Sequence, residues 1–392
     1  MNTIKRTILL TILLALTMSG QLFSQMMGPK PVISPEIKPD NKITFRLYAP
    51  ETKSVKVSGN WMPGWGASVQ LMRNDTGLYE LTIDQLPSEM YTYTFIVDGV
   101  KTIDPGNALV VRDGTRIESM FMIPGEKTDL YAVQNVPHGK LEKVWYPSPT
   151  IGNDRRMYIY TPAGYAESKK SYPVLYLLHG AGGDEDAWTT LGRTPYILDN
   201  LIANGKAEPM LVVMTNGVPS MAAAPGDQPV VKKEQKVQAS GPGGMASGKF
   251  EESLVKDIIP FIEKNYRVLK DKDHRALAGL SMGGFHTQII SNSNPGKFAY
   301  IGVMSMGLMN DPRFGSYDKE SHIKQIKALK ESGIKLYWIG CGKDDFLYES
   351  VTNLRKFYDE QGLKYTYRES TGGHTWTNWR IYLSELAPKL FK

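Results

Sequence analysis

The sequence predicts two folded regions of different class, an all-β, immunoglobulin-like sandwich followed by an α/β domain. Short strand-like runs separated by turn residues fill residues 30 to 125 without helical periodicity. From about residue 140, strand-like runs alternate with segments of helical spacing, which is typical of a mostly parallel sheet covered on both faces. The 392 residues, 41% of them hydrophobic, are enough for two or three domains with cores of their own.

The β-rich region covers residues 25–130. Its strands are predicted from Lys42–Tyr48 and Leu78–Ile83, in which hydrophobic and polar residues alternate at least in part, from the short run Ser54–Val57, and from Tyr91–Val97, which is rich in aromatic and β-branched residues. The last run ends at Asp98-Gly99, a dipeptide that favours a hairpin turn. We expect residues 131–144 to form a linker.

The α/β domain covers residues 145–392. Strands are predicted at Arg155–Tyr160, Val174–Leu178, Met210–Met214, Ala276–Leu280, Ile301–Met304, Leu336–Ile339 and Lys364–Glu369, of which Met210–Met214 has the pattern of a buried strand. Helical spacing predicts helices at Thr194–Ala203, Phe250–Asn265, Phe285–Ser293, Ile323–Ser332 and Val351–Gln361. Residues 216–249, rich in Gly, Pro, Ala and Lys, are predicted to form a long loop that is functional or disordered.

The first 24 residues are expected to be a signal peptide. Met1–Arg6 is basic, Thr7–Met18 is apolar, and small and polar residues follow up to a plausible cleavage point near Ser24. The apolar stretch is short for a membrane span, although an N-terminal anchor is the alternative. Because no cysteine lies directly after this stretch, we expect no lipoprotein anchor. We expect a secreted or periplasmic protein with no membrane association after cleavage.

Composition excludes several classes of function. The chain has 46 basic and 40 acidic residues, a net charge of +6 that becomes +4 once Lys5 and Arg6 are removed. This mild, dispersed excess gives no reason to expect nucleic acid as a partner. The single cysteine, Cys341, excludes an internal disulfide, a cysteine-rich zinc site and an iron–sulfur cluster. No metal or cofactor is implied.

A glycine-rich turn carries the strongest chemical signal. Gly279-Leu280-Ser281-Met282-Gly283 lies between a predicted strand and a predicted helix. In such a nucleophile elbow the chain turns so sharply that only small residues fit two positions before and after the serine. We therefore expect Ser281 to be a nucleophile. A glycine-rich turn with an idle serine is the alternative.

A serine nucleophile needs a base, and the base needs an orienting acid. In the chain order of this kind of site the acid and then the histidine follow the serine. His374, in a Gly-Gly-His turn after the last predicted strand, is the expected base. The expected acid is Asp345, and the adjacent Asp344 stays open as the alternative.

The other histidines of this region are assigned different roles. His322 lies in a charged stretch and is expected to be solvated. His286 is expected to be packed or to give polar support, His274 to lie at the surface, and His179 to be structural because it precedes the serine.

The turn after Tyr176–Leu178 is expected to build the oxyanion hole. His179-Gly-Ala-Gly-Gly183 exposes backbone N–H groups at the end of a strand. This geometry needs one donor from the turn and one from the residue after the nucleophile. We assign the backbone amides of Ala181 and Met282, with Gly182 as the alternate for the first.

These motifs resemble those of a known family. From about Gly139 to Lys392 the chain resembles the esterase D-like branch of the α/β hydrolases, and most of all carbohydrate esterase family 1, the feruloyl and acetylxylan esterases. The shared stretches are Arg156–Pro162, Leu178–Asp184, Gly279–Gly284, Gly342–Tyr348 and Gly372–Trp379. The resemblance implies an α/β-hydrolase fold and a triad of Ser281, Asp345 and His374. The segment Met221–Lys249 departs from the pattern because it is longer than a core connection needs.

The first region resembles family 48 of the carbohydrate-binding modules. The residues that carry this resemblance are Phe45–Pro50, Val55–Trp61, Tyr91–Gly99 and Asp104–Asn107. It implies that Trp61 and Trp65 offer aromatic faces to a sugar ring. The alternative is a structural domain that packs against the esterase and shapes its cleft.

Together, the expected signal peptide and the two resemblances imply a secreted serine esterase that releases ferulic (hydroxycinnamic) acid from plant arabinoxylan through an acyl-enzyme. Its partner would be a feruloylated or acetylated plant polysaccharide. Trp188, Trp376 and the 216–249 loop are candidates for gripping an aromatic acyl group. The alternatives are an acetylxylan esterase, a siderophore esterase of the enterobactin type, and a carbohydrate-binding protein with an inactive esterase fold.

Overall fold

The computed structural model describes residues 32–64, 66–219, 248–308 and 317–392. The expected signal peptide, Trp65 and most of the 216–249 loop lie outside the described residues. The density of internal contacts divides the chain into two compact units, one formed by residues up to 86 with 93–108 and the other by residues 87–92 with 109–392. No helix of the described ranges is both long enough and apolar enough to cross a bilayer.

The first unit is all-β, as predicted. Its strands are β1 Glu36–Ile37, β2 Ile43–Tyr48, β3 Val55–Gly59, β4 Val69–Gln70, β5 Met72–Arg73, β6 Leu78–Ile83, β7 Glu89–Val97, which starts in the second unit, and β8 Val100–Thr102. They pair in the orders β1-β2-β6-β5 and β4-β3-β7, with β8 also on β7, and all of these pairs are antiparallel. Alternate residues of β3 are buried because one face of the strand packs on the core, where Val55, Val57 and Phe95 lie.

The second unit starts with a hairpin and continues into a large sheet. Strands β9 Val110–Asp113 and β10 Arg116–Ile123 are antiparallel, with Asp113 opposite Arg116 at the turn. In the described part of this unit, eight further strands form one sheet of order β11-β12-β14-β13-β15-β16-β17-β18. They are β11 Lys140–Ser148, β12 Asn153–Thr161, β13 Val174–Leu178, β14 Leu211–Thr215, β15 Arg275–Leu280, β16 Tyr300–Met304, β17 Leu336–Gly342 and β18 Thr366–Ser370.

The sheet is parallel from β14 to β18, and β11 and β12 are antiparallel to their neighbours. The short helix α1 Glu126–Asp129 precedes β11, and the helix α9 Trp376–Leu386 follows β18. The helices that connect the parallel strands are α2 Ala187–Thr190, α3 Thr194–Ala203, α4 Lys249–Ser253, α5 Ile259–Asn265, α6 Met282–Ser293, α7 Lys319–Glu331 and α8 Tyr348–Glu360. A π-helical turn, Leu254–Ile258, joins α4 to α5.

Both faces of the sheet are covered, which explains why its strands read as continuous apolar runs. In β13, Val174, Tyr176 and Leu178 face one hydrophobic core, whereas Leu175 and Leu177 face the other. The predicted α/β architecture is confirmed. Because β15, β16, β17 and β18 are parallel neighbours, the loops that follow them meet at one edge of the sheet.

Candidate active site

Ser281 occupies the sharp turn between β15 and α6. Its backbone has φ 52° and ψ −118°, a strained conformation for a residue with a side chain. A Cβ at Gly279 would collide with the Gly283 carbonyl, and one at Gly283 would collide with the Leu178 carbonyl oxygen. The turn therefore needs glycine on both sides of the serine. Ser281 N–H donates to Met304 O at 2.9 Å, which ties the elbow to the end of β16.

His374 is hydrogen-bonded to Asp345. It lies in the loop between β18 and α9, and its Nδ1 is 3.0 Å from each carboxylate oxygen. Burial alone would raise the pKa of Asp345, but hydrogen bonds from His374, from Leu347 N–H and from the Ser305 side chain hold that pKa below its ordinary value. The carboxylate is therefore ionised at neutral pH and orients the imidazole through Nδ1.

Asp344 has a different partner. Its Oδ2 accepts a hydrogen bond from Gly372 N–H at 3.0 Å, and its own N–H donates to Gly372 O at 3.1 Å. These bonds join the loop after β17 to the loop after β18. The structure thus brings Asp345 to His374 and gives Asp344 the task of holding the two loops together.

Ser305 is part of the site and was missed from the sequence. It directly follows β16, is buried, and has a positive φ of 49°. Its Oγ accepts a hydrogen bond from Trp379 Nε1 at 3.0 Å and donates to Asp345. Trp379 in turn lies edge-on to His374, with ring centroids 5.0 Å apart. Its position in the sequence could have indicated this role, because it follows the strand that lies between the strand before Ser281 and the strand before Asp345.

The predicted oxyanion turn lies beside the serine. A Cβ added at Gly180 would lie 3.4 Å from Ser281 Cβ. Gly183 N–H donates to Gly180 O at 3.2 Å, which closes the turn around Ala181. Met282 is the first residue of α6, where a backbone N–H has no intrahelical acceptor. Met282 thus directly follows Ser281, and the turn that contains Ala181 begins at Gly180 beside the serine.

His179 braces this turn. Its Nδ1–H donates to Gly180 O at 2.7 Å, and its Nε2 accepts from Gly217 N–H at 2.9 Å. Burial lowers the pKa of His179 to about 4, so the ring is neutral at pH 7 and both nitrogens are occupied by these bonds. The side chain joins the turn to the loop after β14 and has no nitrogen left for proton transfer.

The aromatic candidates differ in their positions. Trp188 is 1% exposed, with its Nε1 donating to Leu178 O at 2.9 Å, so in this structure it supports Trp376 and is not open to a ligand. Trp376 is half-buried, edge-on to Trp379 at 5.2 Å. Phe346, missed from the sequence, is 76% exposed, and its ring centroid is 4.5 Å from that of His374. Its position directly after the expected acid, in an otherwise polar loop, could have identified it as a candidate for substrate contact.

In the first unit, Trp61 is half-buried and stacks on Phe45, with centroids 5.6 Å apart and planes inclined by 7°. It also packs over Gly59, where a Cβ would collide with the indole. Trp65 lies outside the described residues. The structure therefore shows Trp61 in contact with its own domain.

The expectation that His322 is solvated is wrong. The side chain is buried, its ring lies 4.5 Å from Phe357, and Tyr317 Oη is 3.0 Å from its Nδ1. Burial lowers its pKa to about 4. His286 is buried against Phe250, and His274 is partly exposed. No group of three or more His, Cys, Asp or Glu side chains in the described ranges is arranged to hold a metal ion.

Two family models match separate parts of the chain. Residues 148–390 match the Esterase family model, and residues 30–113 match the model of carbohydrate-binding module 48, the isoamylase N-terminal domain. A protein from Xylanibacter ruminicola described as endo-1,4-beta-xylanase/feruloyl esterase is 32% identical over 365 residues, which is 91% of this chain and 46% of that protein. This chain therefore spans about half the length of that relative.

Solved structures agree on the fold. A ferulic acid esterase is 26% identical, with a TM-score of 0.53, and the match covers 66% of this chain and all of that one. The enterobactin esterase of Shigella flexneri matches 89% of this chain and 93% of its own with a TM-score of 0.62, but at 16% identity it shows the fold alone. Because the Esterase model matches more than half of the residues, the chain belongs to the Esterase family, a family of carboxylic ester hydrolases with the α/β-hydrolase fold.

Proposed function

We propose that this protein is a serine esterase that releases ferulic or a related hydroxycinnamic acid from plant arabinoxylan. The observation that carries the proposal is the His374–Asp345 pair, bonded at 3.0 Å, in loops at the sheet edge where the strained Ser281 turn also lies. The description of the Xylanibacter ruminicola relative as a xylanase/feruloyl esterase supports the substrate class.

In the proposed acylation step, Ser281 Oγ attacks the ester carbonyl carbon. His374 Nε2 accepts the hydroxyl proton and then delivers it to the leaving sugar oxygen. Asp345 holds Nδ1–H, so Nε2 carries the lone pair that the reaction needs, and the carboxylate stabilises the imidazolium that forms. In the second step, His374 Nε2 takes a proton from a water molecule whose oxygen attacks the acyl carbon. The bond from that carbon to Ser281 Oγ then breaks, the proton passes from His374 to Oγ, and the hydroxycinnamic acid is released.

The negative charge that develops on the carbonyl oxygen is assigned to the amides of Ala181 and Met282. A preorganised donor of this kind is worth about 3–4 kcal/mol in the transition state. The hydrogen bonds of His179 to Gly180 and Gly217 support this assignment because they hold the turn in place beside Ser281.

An aromatic acyl group is supported by the side chains around His374. Phe346 exposes most of its ring while packing on the imidazole, and a large apolar ring exposed beside reactive groups favours contact with a substrate. Trp376 is a second aromatic ring near the histidine, because it packs against Trp379, which in turn packs against His374. We assign both to the acyl or leaving-group contact.

Two further expectations belong to this proposal. The first 24 residues would direct export and be removed, which sequencing of the mature N-terminus tests.

The module-48 region would hold the polysaccharide through Trp61 and Trp65. The full chain and its Trp61→Ala, Trp65→Ala double variant should then differ in retention on insoluble arabinoxylan, and equal retention would remove the sugar contact from the proposal.

The activity is tested by hydrolysis of methyl ferulate beside 4-nitrophenyl acetate. The wild-type protein should release ferulate, Ser281→Ala should release neither product above background, and Ser293→Ala, an exposed serine at the far end of the same helix, should match wild type. Serine-dependent acetate release without ferulate would replace the acyl preference by acetyl. Unchanged hydrolysis by Ser281→Ala would remove the mechanism.

A further inference from the structure

The turn that carries the proposed oxyanion donor has little rigidity of its own. Gly180, Gly182 and Gly183 are three of its four residues, and Gly182 has a positive φ of 82°. Glycine restricts the backbone less than any other residue. A donor that stabilises a developing charge must be in place before the reaction. His179 holds the first carbonyl of the turn, so the far end needs a separate support.

Arg112, in β9, contacts that far end. It forms a two-pronged interaction with Asp184, the residue directly after the turn: Nη2 donates to Oδ1 at 3.1 Å and Nη1 donates to Oδ2. Its Nε donates to Asp186 Oδ2 at 3.0 Å. The Asp184 side chain is fully buried. A bidentate arginine–carboxylate pair fixes orientation as well as distance, which a single contact does not.

Backbone contacts extend this support. Thr190, in α2, accepts a hydrogen bond from Arg112 N–H at 3.1 Å and donates one to Arg112 O at 3.2 Å. At the tip of the hairpin, a Cβ on Gly114 would collide with the carbonyl oxygen of Gly182. The hairpin therefore rests directly on the glycine turn, with no room for a methyl group between them.

The residue next to Arg112 reaches the histidine loop. Asp113 accepts a hydrogen bond from Trp376, which lies two residues after His374. A Cβ on Gly183 would lie 2.5 Å from Asp113 Oδ1. The same hairpin thus contacts the oxyanion turn on one side and the loop of the proposed base on the other.

We propose that Arg112 is a positioning residue for the oxyanion hole, acting through Asp184 and Asp186 on the Gly180–Gly183 turn. The inference rests on the proposed serine esterase mechanism. Arg112 lies outside the residues 148–390 that match the Esterase model and within the residues 30–113 that match module 48, so in this proposal a residue upstream of the Esterase match helps to set the rate of the reaction.

The first test uses Arg112→Lys and Arg112→Met in the full chain, with 4-nitrophenyl acetate as substrate and active sites counted by burst titration. Since a displacement of about 1 Å costs roughly 100-fold in rate, we expect kcat to fall about 10- to 100-fold for Met and less for Lys, which keeps the charge. KM should be unchanged. Inactivation by diethyl 4-nitrophenyl phosphate, whose phosphoryl oxygen occupies the oxyanion position, should slow by the same factor.

A second pair of variants covers the case in which the Arg112 variants do not fold. Gly114 and Gly205 have nearly the same φ, 61° and 65°, so alanine brings similar backbone strain at both. The new methyl group meets Gly182 O only at position 114, whereas position 205 has open space. Gly114→Ala should lower kcat and the inactivation rate together, and Gly205→Ala should leave both unchanged.

The outcomes separate this inference from the proposed function. Wild-type kcat and inactivation rates in Arg112→Met and Gly114→Ala would overturn the inference while leaving the mechanism intact. A rise in KM with unchanged kcat would also overturn it, because the hairpin would then contact the substrate and not position the turn. Failure of the mechanism itself would appear in Ser281→Ala, as hydrolysis that does not depend on the serine.

Discussion

Replacement of Asp345 by asparagine should change the tautomer of the His374 imidazole, moving its proton from Nδ1 to Nε2, without changing the shape of the site. Leu347 N–H donates to Asp345 Oδ1 at 2.9 Å, so in the variant the remaining carbonyl oxygen is held at that position. The amide NH2 then takes the place of Oδ2, 3.0 Å from His374 Nδ1. An NH2 group there requires Nδ1 to be an acceptor, which moves the proton to Nε2.

With the proton on Nε2, the imidazole has no lone pair for the hydroxyl of Ser281. In serine hydrolases this exchange lowers kcat by about 10⁴, which corresponds to roughly 5.5 kcal/mol of transition-state stabilisation. We expect a loss of that order for Asp345→Asn, with KM changed only a few-fold. The assay is steady-state hydrolysis of methyl ferulate, normalised to the active-site concentration.

Asp344→Asn is the matched control because the same change is made one residue earlier. Asp344 accepts from Gly372 N–H, and an asparagine oxygen accepts the same bond. We expect kcat within about threefold of wild type and a loss of stability of at most about 1 kcal/mol. If Asp344→Asn loses activity and Asp345→Asn keeps it, the assignment of the acid and the tautomer argument are both wrong.

Three further predictions concern residues around the site and in the core. Ser305→Ala should lower the free energy of unfolding by about 2–4 kcal/mol in urea titrations, since it removes a hydrogen bond to the Asp345 carboxylate and leaves the Trp379 N–H without an acceptor; a loss under 0.5 kcal/mol would contradict the network. Phe346→Ala should raise KM several-fold for methyl ferulate but not for 4-nitrophenyl acetate, with little effect on stability because the ring is 76% exposed; equal KM changes for both esters would reject the acyl contact. His322 keeps a pKa of about 4 when folded and takes up a proton near 6.5 when unfolded, so its contribution to stability is complete above pH 6.5 and falls as pH drops towards 4. His322→Gln should reduce that fall by about 1.4 kcal/mol per pH unit, and an unchanged pH dependence would contradict it.

Steric necessity made part of the site predictable. Gly279 and Gly283 are required by the collisions that any Cβ would make in the elbow, so the sequence pattern carries the geometry directly. The apolar runs of the parallel strands were equally readable, because both faces of the sheet are buried.

Other features depend on contacts between residues that are distant in the chain. Arg112 and Asp184 are 72 residues apart, and no local pattern pairs them. Asp344 and Asp345 are neighbours of identical type, so only the direction of the backbone separates their roles. The burial of His322, by contrast, could have been predicted from its helical spacing. It precedes Ile326 and Leu329 by four and seven residues, so the three side chains share the buried face of α7. The charged residues around it in the sequence lie on the other face.

In the proposed mechanism Ser281 is acylated by a hydroxycinnamate ester, and His374 acts as the base for that step. The most direct measurement is peptide mass spectrometry of the protein mixed with methyl ferulate and acid-quenched in the first turnover. We expect one feruloyl group on the peptide that contains Ser281, absent from Ser281→Ala and accumulating far more slowly in Asp345→Asn. A feruloyl group on another residue, or turnover by Ser281→Ala at the wild-type rate, would contradict it.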